Sequence, residues 1–192
     1  MMRGLGVATA LAILGWWAAM RFLPPAAFSG GTEARAKLQA LEAILASRND
    51  NDPRLDRDFN ALSLEAKRLF RKKYQKLPLE KRNERGIIVF LLGRNLEAAE
   101  DWAFLRGVVS EPPCLSLSDC SRQPRPGGGG EDALGDEVTL AYPCLVALKQ
   151  AEYALGKAPG TPEALEVIRL GKKSATPVVA RMAEKLEQRF AP

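Results

Sequence analysis

Residues 79–109, LEKRNERGIIVFLLGRNLEAAEDWAFLRGVV, decide how the rest of the chain is read. The stretch divides at Gly93-Arg94-Asn95 into two segments with apolar residues at helical spacing. Ile87, Ile88, Leu91 and Leu92 crowd the end of the first segment. Ala98, Trp102, Leu105 and Val109 recur along one face of the second. Asn95 reads as an N-cap, with Glu97, Glu100 and Asp101 in the first turns, where the helix macrodipole favours carboxylates. The expectation is a helix hairpin broken once at Gly93, and its acidic turn needs no catalytic explanation.

Immediately upstream, Ser63 is the expected N-cap of a helix on which Leu62, Ala66, Leu69, Phe70, Tyr74 and Leu77 step along one face. Lys67, Arg68, Arg71, Lys72 and Lys76 cover the remainder and form a candidate basic surface, while Lys73 falls near the apolar stripe and must snorkel outward. Between residues 64 and 85 nine Lys or Arg stand against three Glu, a local +6 that exceeds the whole-chain +5. A solvated face is the plain reading. The sharper one is contact with anionic lipid or an acidic partner, because a basic patch near a membrane gains about 1 kcal/mol per charge. Nucleic acid is disfavoured, since no base-stacking aromatics interleave with these charges.

Residues 4–20, GLGVATALAILGWWAAM, carry no charge or strongly polar group. As a helix they rise about 26 Å, just short of a hydrocarbon core of about 30 Å. Trp16, Trp17 and Arg21 suit one interface. An uncleaved single-pass anchor is the favoured reading. A cleaved signal peptide is the alternative, with small residues at Ala27 and Ser29 before Gly30. Orientation is contested: Arg3 flanks one side, and Arg21, Arg35 and Lys37 the other. Cys114 and Cys120 bracket a short loop, CLSLSDC, that suits a local disulfide in an oxidising compartment, with a pair of free thiols as the alternative. The balance leans to a domain on the extracytoplasmic side of the cell membrane, secreted if the N-terminal segment is cleaved.

A Pro/Gly spacer is expected over residues 24–31, followed by a helix capped at Thr32 that bears Leu38, Leu41, Ile44 and Leu45 and ends near Arg48. The acidic stretch 50–58 fails as a calcium loop, because Leu55 and Ala61 stand where an EF-hand starting at Asp50 needs Gly and Glu. Asp52-Pro53 reads instead as a helix start. After Val109 a flexible insertion is expected over residues 110–136. Its four glycines are followed by Glu131-Asp132 rather than by the Lys-Ser/Thr of a phosphate loop. Helix resumes over residues 137–155, kinked or truly started at Pro143. Thr161-Pro162-Glu163 and Thr176-Pro177 then start two more helices, the first with Ala164, Leu165, Val167 and Ile168 inward and the second with Val178, Val179, Met182, Leu186 and Phe190. No strand pattern is found.

Histidine is absent from all 192 residues, which excludes Ser-His, Cys-His and His-ligated metal chemistry. Three cysteines are too few for an all-thiolate zinc site. Neither an enzyme nor a resident cofactor is expected.

The Leu-Gly end of the first helix recurs: RGIIVFLLG at residues 85–93 precedes one amphipathic helix, and AEYALG at residues 151–156 precedes another from Thr161. This pattern resembles the HEAT-repeat family of helical solenoids over about residues 79–190. Arg85, Ile88, Val89, Leu92 and Gly93 occupy the family's Arg, small or apolar, and Leu-Gly places, and Pro143 could fill its internal proline. The resemblance implies an array of stacked hairpins that presents an extended binding surface. The expected architecture is all-α: an N-terminal transmembrane helix over residues 1–23, the spacer, then antiparallel helix hairpins over 32–192 in a HEAT-like or irregular α-solenoid. The expected role is a membrane-tethered, non-catalytic scaffold for a protein partner, with an anionic-lipid-facing structural protein as the alternative.

Overall fold

The computed structural model describes residues 29–114, 116, 119–121 and 133–190. The expected membrane segment and most of the spacer lie outside these residues. Among the described residues there are nine helices and no strand. They are α1 (Ser29–Ser47), α2 (Arg54–Arg57), α3 (Leu64–Lys76), α4 (Arg82–Gly93), α5 (Ala99–Val109), α6 (Ala133–Leu140), α7 (Tyr142–Lys157), α8 (Pro162–Gly171) and α9 (Pro177–Phe190). No helix among the described residues is long and apolar enough to cross a membrane.

Local signals place most of the helix ends. Ser63 Oγ accepts from the Ala66 N–H at 3.3 Å and starts α3 as expected. Pro162 and Pro177 open α8 and α9, and Pro143 marks the true start of α7 rather than a kink within it. Asp52 Oδ1 accepts the Arg54 N–H, at 2.9 Å, where the short α2 begins after Pro53. The Arg54 side chain that returns to the same carboxylate holds the Asp52 acid down to about 2.

Three expectations are corrected. Helix α1 begins at Ser29, so Gly30 and Gly31 are helical rather than spacer; intrahelical bonding outweighs the modest cost of each glycine. Asn95 is not an N-cap. Helix α5 is capped at Ala98 by the Asp101 side chain, whose Oδ2 accepts the N–H groups of Glu97 and Ala98 at 3.0 Å each. Asn95 instead lies buried, accepting from the Leu62 N–H at 3.1 Å and donating to the carbonyls of Phe59 and Leu91. It pins the loop before α3 to the end of α4. Finally, the expected insertion is structured at both edges: α6 starts at Ala133, and the cysteine loop is docked on α4.

Packing follows from two glycines. A β-carbon on Gly86 would run into the Tyr142 ring, and one on Gly93 would meet the stem of Gln150. Gly86 and Gly93 are two turns apart on α4, as Tyr142 and Gln150 are on α7, and the contacts advance together. The two helices therefore lie parallel, in the most extensive helix–helix contact of the fold. Helix α5 packs on α8, α1 on α3, and α9 closes over α7 and α8. The two hairpins, α4–α5 and α7–α8, thus stack with first helix on first helix and second on second. Leu41, Ile44, Phe59, Phe70, Ile88, Leu92, Leu105, Leu148 and Ile168 are buried in one continuous core.

Candidate docking groove

The α4–α7 contact leaves a groove of about 590 Å³ beyond Gly93, lined by Phe90 of α4 and Arg94 just after it, Asn60 of the loop before α3, and Lys149, Gln150, Glu152, Tyr153 and Lys157 of α7. The buried stripe of α7 is Ala147, Leu148, Ala151 and Leu155, which turns Lys149, Tyr153 and Lys157 outward at intervals of four. Tyr153 is 56% exposed, and the Lys157 ammonium sits 4.3 Å from its ring centroid. On the facing wall the Arg94 guanidinium lies 5.1 Å over the Phe90 ring and bonds Asp56 at 2.7 Å and Asn60 at 2.6 Å.

Two features of the floor and rim bear on binding. Gln150 is only 7% exposed, and its Oε1 has no hydrogen-bond donor. Its stem is held over Gly93. Leaving a buried amide oxygen unmatched costs about 1–3 kcal/mol. Glu152, the carboxylate on the α7 rim, is already matched by Lys149 at 2.7 Å and by Arg189 of α9 at 2.6 Å. Cations therefore exceed carboxylates around the opening.

The expected basic surface divides in two. Lys67 does not belong to it: the side chain is 0% exposed, and its ammonium bonds Asp101 at 3.0 Å and Glu97 at 2.9 Å. Arg71 also turns inward, to Asp101 Oδ1 at 3.0 Å. Burial opposes ionisation of Asp101, but the N–H groups of Ala98 and Glu97 together with Lys67 outweigh it, so the acid stays below its ordinary value. With both oxygens occupied by donors, this carboxylate ties α3 to α5. Arg68, Lys72 and Lys76 remain exposed, four residues apart below Leu64, and Lys73 reaches Glu42 at 2.6 Å.

Cys114 and Cys120 form a disulfide, with Cα atoms 4.8 Å apart. The start of α4 holds this loop: Arg82 donates to the Ser116 carbonyl, and Glu80 accepts the Cys120 N–H at 2.8 Å, which lowers the Glu80 acid. One turn on, Arg85 Nη2 reaches both carboxylate oxygens of Glu111, at 2.6 and 2.7 Å, while its Nη1 donates to the carbonyls of Tyr74 and Leu77. The arginine that carried the repeat resemblance thus ties the end of α3 to the end of α5. Burial, with Glu111 nearby, pushes the Cys144 thiol up to about 12, which makes it a poor nucleophile. The cavity beside it is about 30 Å³, room for about one water molecule. Among the described residues no cluster of three or more His, Cys, Asp or Glu could hold a metal ion.

None of the groove residues stood out from the sequence. The available signal was Tyr153, an aromatic off the apolar stripe of its helix with a lysine four residues to either side. Gln150 and Arg94 carried no such signal, because their roles come from the facing helix. Comparison with protein-family models, curated proteins and solved structures finds no match to this chain.

Proposed function

We propose that this chain is a membrane-tethered, HEAT-like helical scaffold that holds a protein partner in the groove between α4 and α7. The observation that carries the reading is an exposed aromatic flanked by cations over a buried, unmatched amide. Interfaces concentrate binding energy on such aromatic and cationic anchors, and a groove of several hundred Å³ suits a peptide segment or side-chain cluster. The stacking of two hairpins supports the repeat reading, since solenoids present extended surfaces of this kind. The apolar run at residues 4–20 supports the tether. The Cys114–Cys120 disulfide supports an extracytoplasmic domain. The test is a photo-crosslinking residue at Tyr153 of the full chain in its native membrane, with the same residue at Glu184 as the control. A partner joined reproducibly at Tyr153 and not at Glu184 is expected. Failure to join any protein at Tyr153 would remove the reading.

A lipid-facing role has one specific observation in its favour: Leu64, 59% exposed, heads a stripe with Arg68, Lys72 and Lys76. Three such charges contribute about 3 kcal/mol at an anionic surface. Reversing Lys72 and Lys76 to Glu should then abolish salt-sensitive binding to phosphatidylserine vesicles. Unchanged binding would dispose of this alternative.

A further inference from the structure

We infer that the segment held in this groove is an extended acidic peptide with carboxylates about four residues apart, an inference that rests on the groove being the docking face. Floor and rim make different demands. Gln150 Oε1, buried and without a donor from the protein, offers an acceptor to an N–H or O–H of the ligand. The rim favours an anion: no carboxylate among the described residues pairs with Lys157, and Glu152 has two cations where one would serve. Arg189 can keep Glu152 while Lys149 turns to a ligand. An ionised phosphate or a free carboxylate answers the rim and offers the floor only acceptors. An extended peptide answers both, because its backbone supplies an N–H at every residue and its side chains supply the charge.

The spacing follows from geometry. Lys149 and Lys157 are separated by two turns and a little more of α7, about 12 Å of helix rise. An extended chain covers that distance in about four residues, and residues four apart in a strand point to the same face. Glu-Ala-Ser-Ala-Glu therefore matches both lysines from one face, with the intervening backbone over Gln150. The rings are also arranged for charge rather than for bases. Arg94 covers a face of Phe90 and Lys157 a face of Tyr153, so the aromatic pair presents cations instead of bare stacking surfaces.

The probe is a dye-labelled, acetylated and amidated peptide containing Glu-Ala-Ser-Ala-Glu, read by fluorescence anisotropy on the full chain. Saturable binding that weakens with salt is expected. The same peptide with Gln for both Glu, and one with the two Glu adjacent, should each bind about tenfold more weakly. Lys157→Glu and Gln150→Met should each weaken binding about tenfold with the helical circular dichroism unchanged; methionine keeps the unbranched stem over Gly93 and removes only the amide. Equal binding of the Glu and Gln peptides, indifference to both substitutions, or tighter binding of a single-stranded oligothymidylate would each overturn the inference. Competition separates it from the scaffold reading. If the Tyr153 crosslink to a protein is suppressed by the Glu peptide and not by the Gln peptide, both stand. If the crosslink persists under saturating Glu peptide, the scaffold reading stands and the acidic chemistry falls. If no protein crosslinks at all, the scaffold reading falls and takes this inference with it.

Discussion

Gly93 and Gln150 touch so closely that a β-carbon on the glycine would stand 2.7 Å from Gln150 Cβ and nearer still to Cγ. The contact fixes the parallel approach of α4 and α7, and it also holds the Gln150 amide at the floor of the groove. One missing methyl group thus links the packing of the hairpins to the surface they present.

Gly93→Ala should destabilise the protein by about 1–3 kcal/mol, the usual cost of overfilling a packed contact. The atom it meets first is near the backbone of α7 and has little room to yield. Gly156, which follows the matching Leu in AEYALG, has open space around its position and lies within α7. Gly156→Ala should therefore stabilise by about 0.5–1 kcal/mol through helix propensity. Urea melts of the two variants check the pair. Equal signs would refute the assignment of different roles to these glycines.

Lys67→Ala removes one of the two cations on the buried Asp101 carboxylate, with Arg71 and two backbone N–H groups still in place, and should cost about 1–3 kcal/mol. Arg68→Ala, on the adjacent but exposed residue, should change stability by less than about 0.5 kcal/mol. Thermal unfolding followed by circular dichroism distinguishes them.

Asp101 also sets a pH dependence. Its folded-state acid lies below the ordinary 3.8, so its contribution is fully present above that value and is lost as pH falls through the depressed one. Asp101→Asn should be clearly less stable than the parent near neutral pH. The gap should narrow as acidity increases below 3.8, where the parent carboxylate itself becomes protonated. A gap that is constant with pH would mean that ionisation of Asp101 contributes nothing.

Thiol labelling of the folded, unreduced protein should modify none of the three cysteines quickly. Cys114 and Cys120 are joined, and the half-buried Cys144 thiol has its acid pushed up to about 12. Under denaturant without reductant, Cys144 alone should label. Cys114→Ser with Cys120→Ser should lower stability by about 2 kcal/mol, the chain-entropy value for so short a loop.

Helix order, the capped start of α3 and the proline starts of α8 and α9 were legible in the sequence because they depend on neighbours within one turn. The apolar faces were legible for the same reason: Ala66, Phe70, Tyr74, Ile88, Leu92 and Leu105 repeat at the helical period and are all buried. The disulfide needed only the spacing of Cys114 and Cys120 around a short loop. The hairpin turn was misread because Asn95 has the composition of a cap. Its hydrogen-bond partners at Phe59 and Leu62 are more than thirty residues away in the chain.

What composition and periodicity could determine, then, was an all-helical chain with known faces and a surplus of positive charge. Which charge goes inside was decided only by tertiary contact. Lys67 and Arg68 are sequence neighbours of the same sign, yet Lys67 is sealed in because Asp101 lies opposite, and Arg68 stays in water because nothing buried faces it. The same holds for the two Leu-Gly sites and for the amide of Gln150. Helix propensity and capping act through bonds a few residues long, whereas burial and the matching of polar groups depend on whatever surface the fold brings opposite.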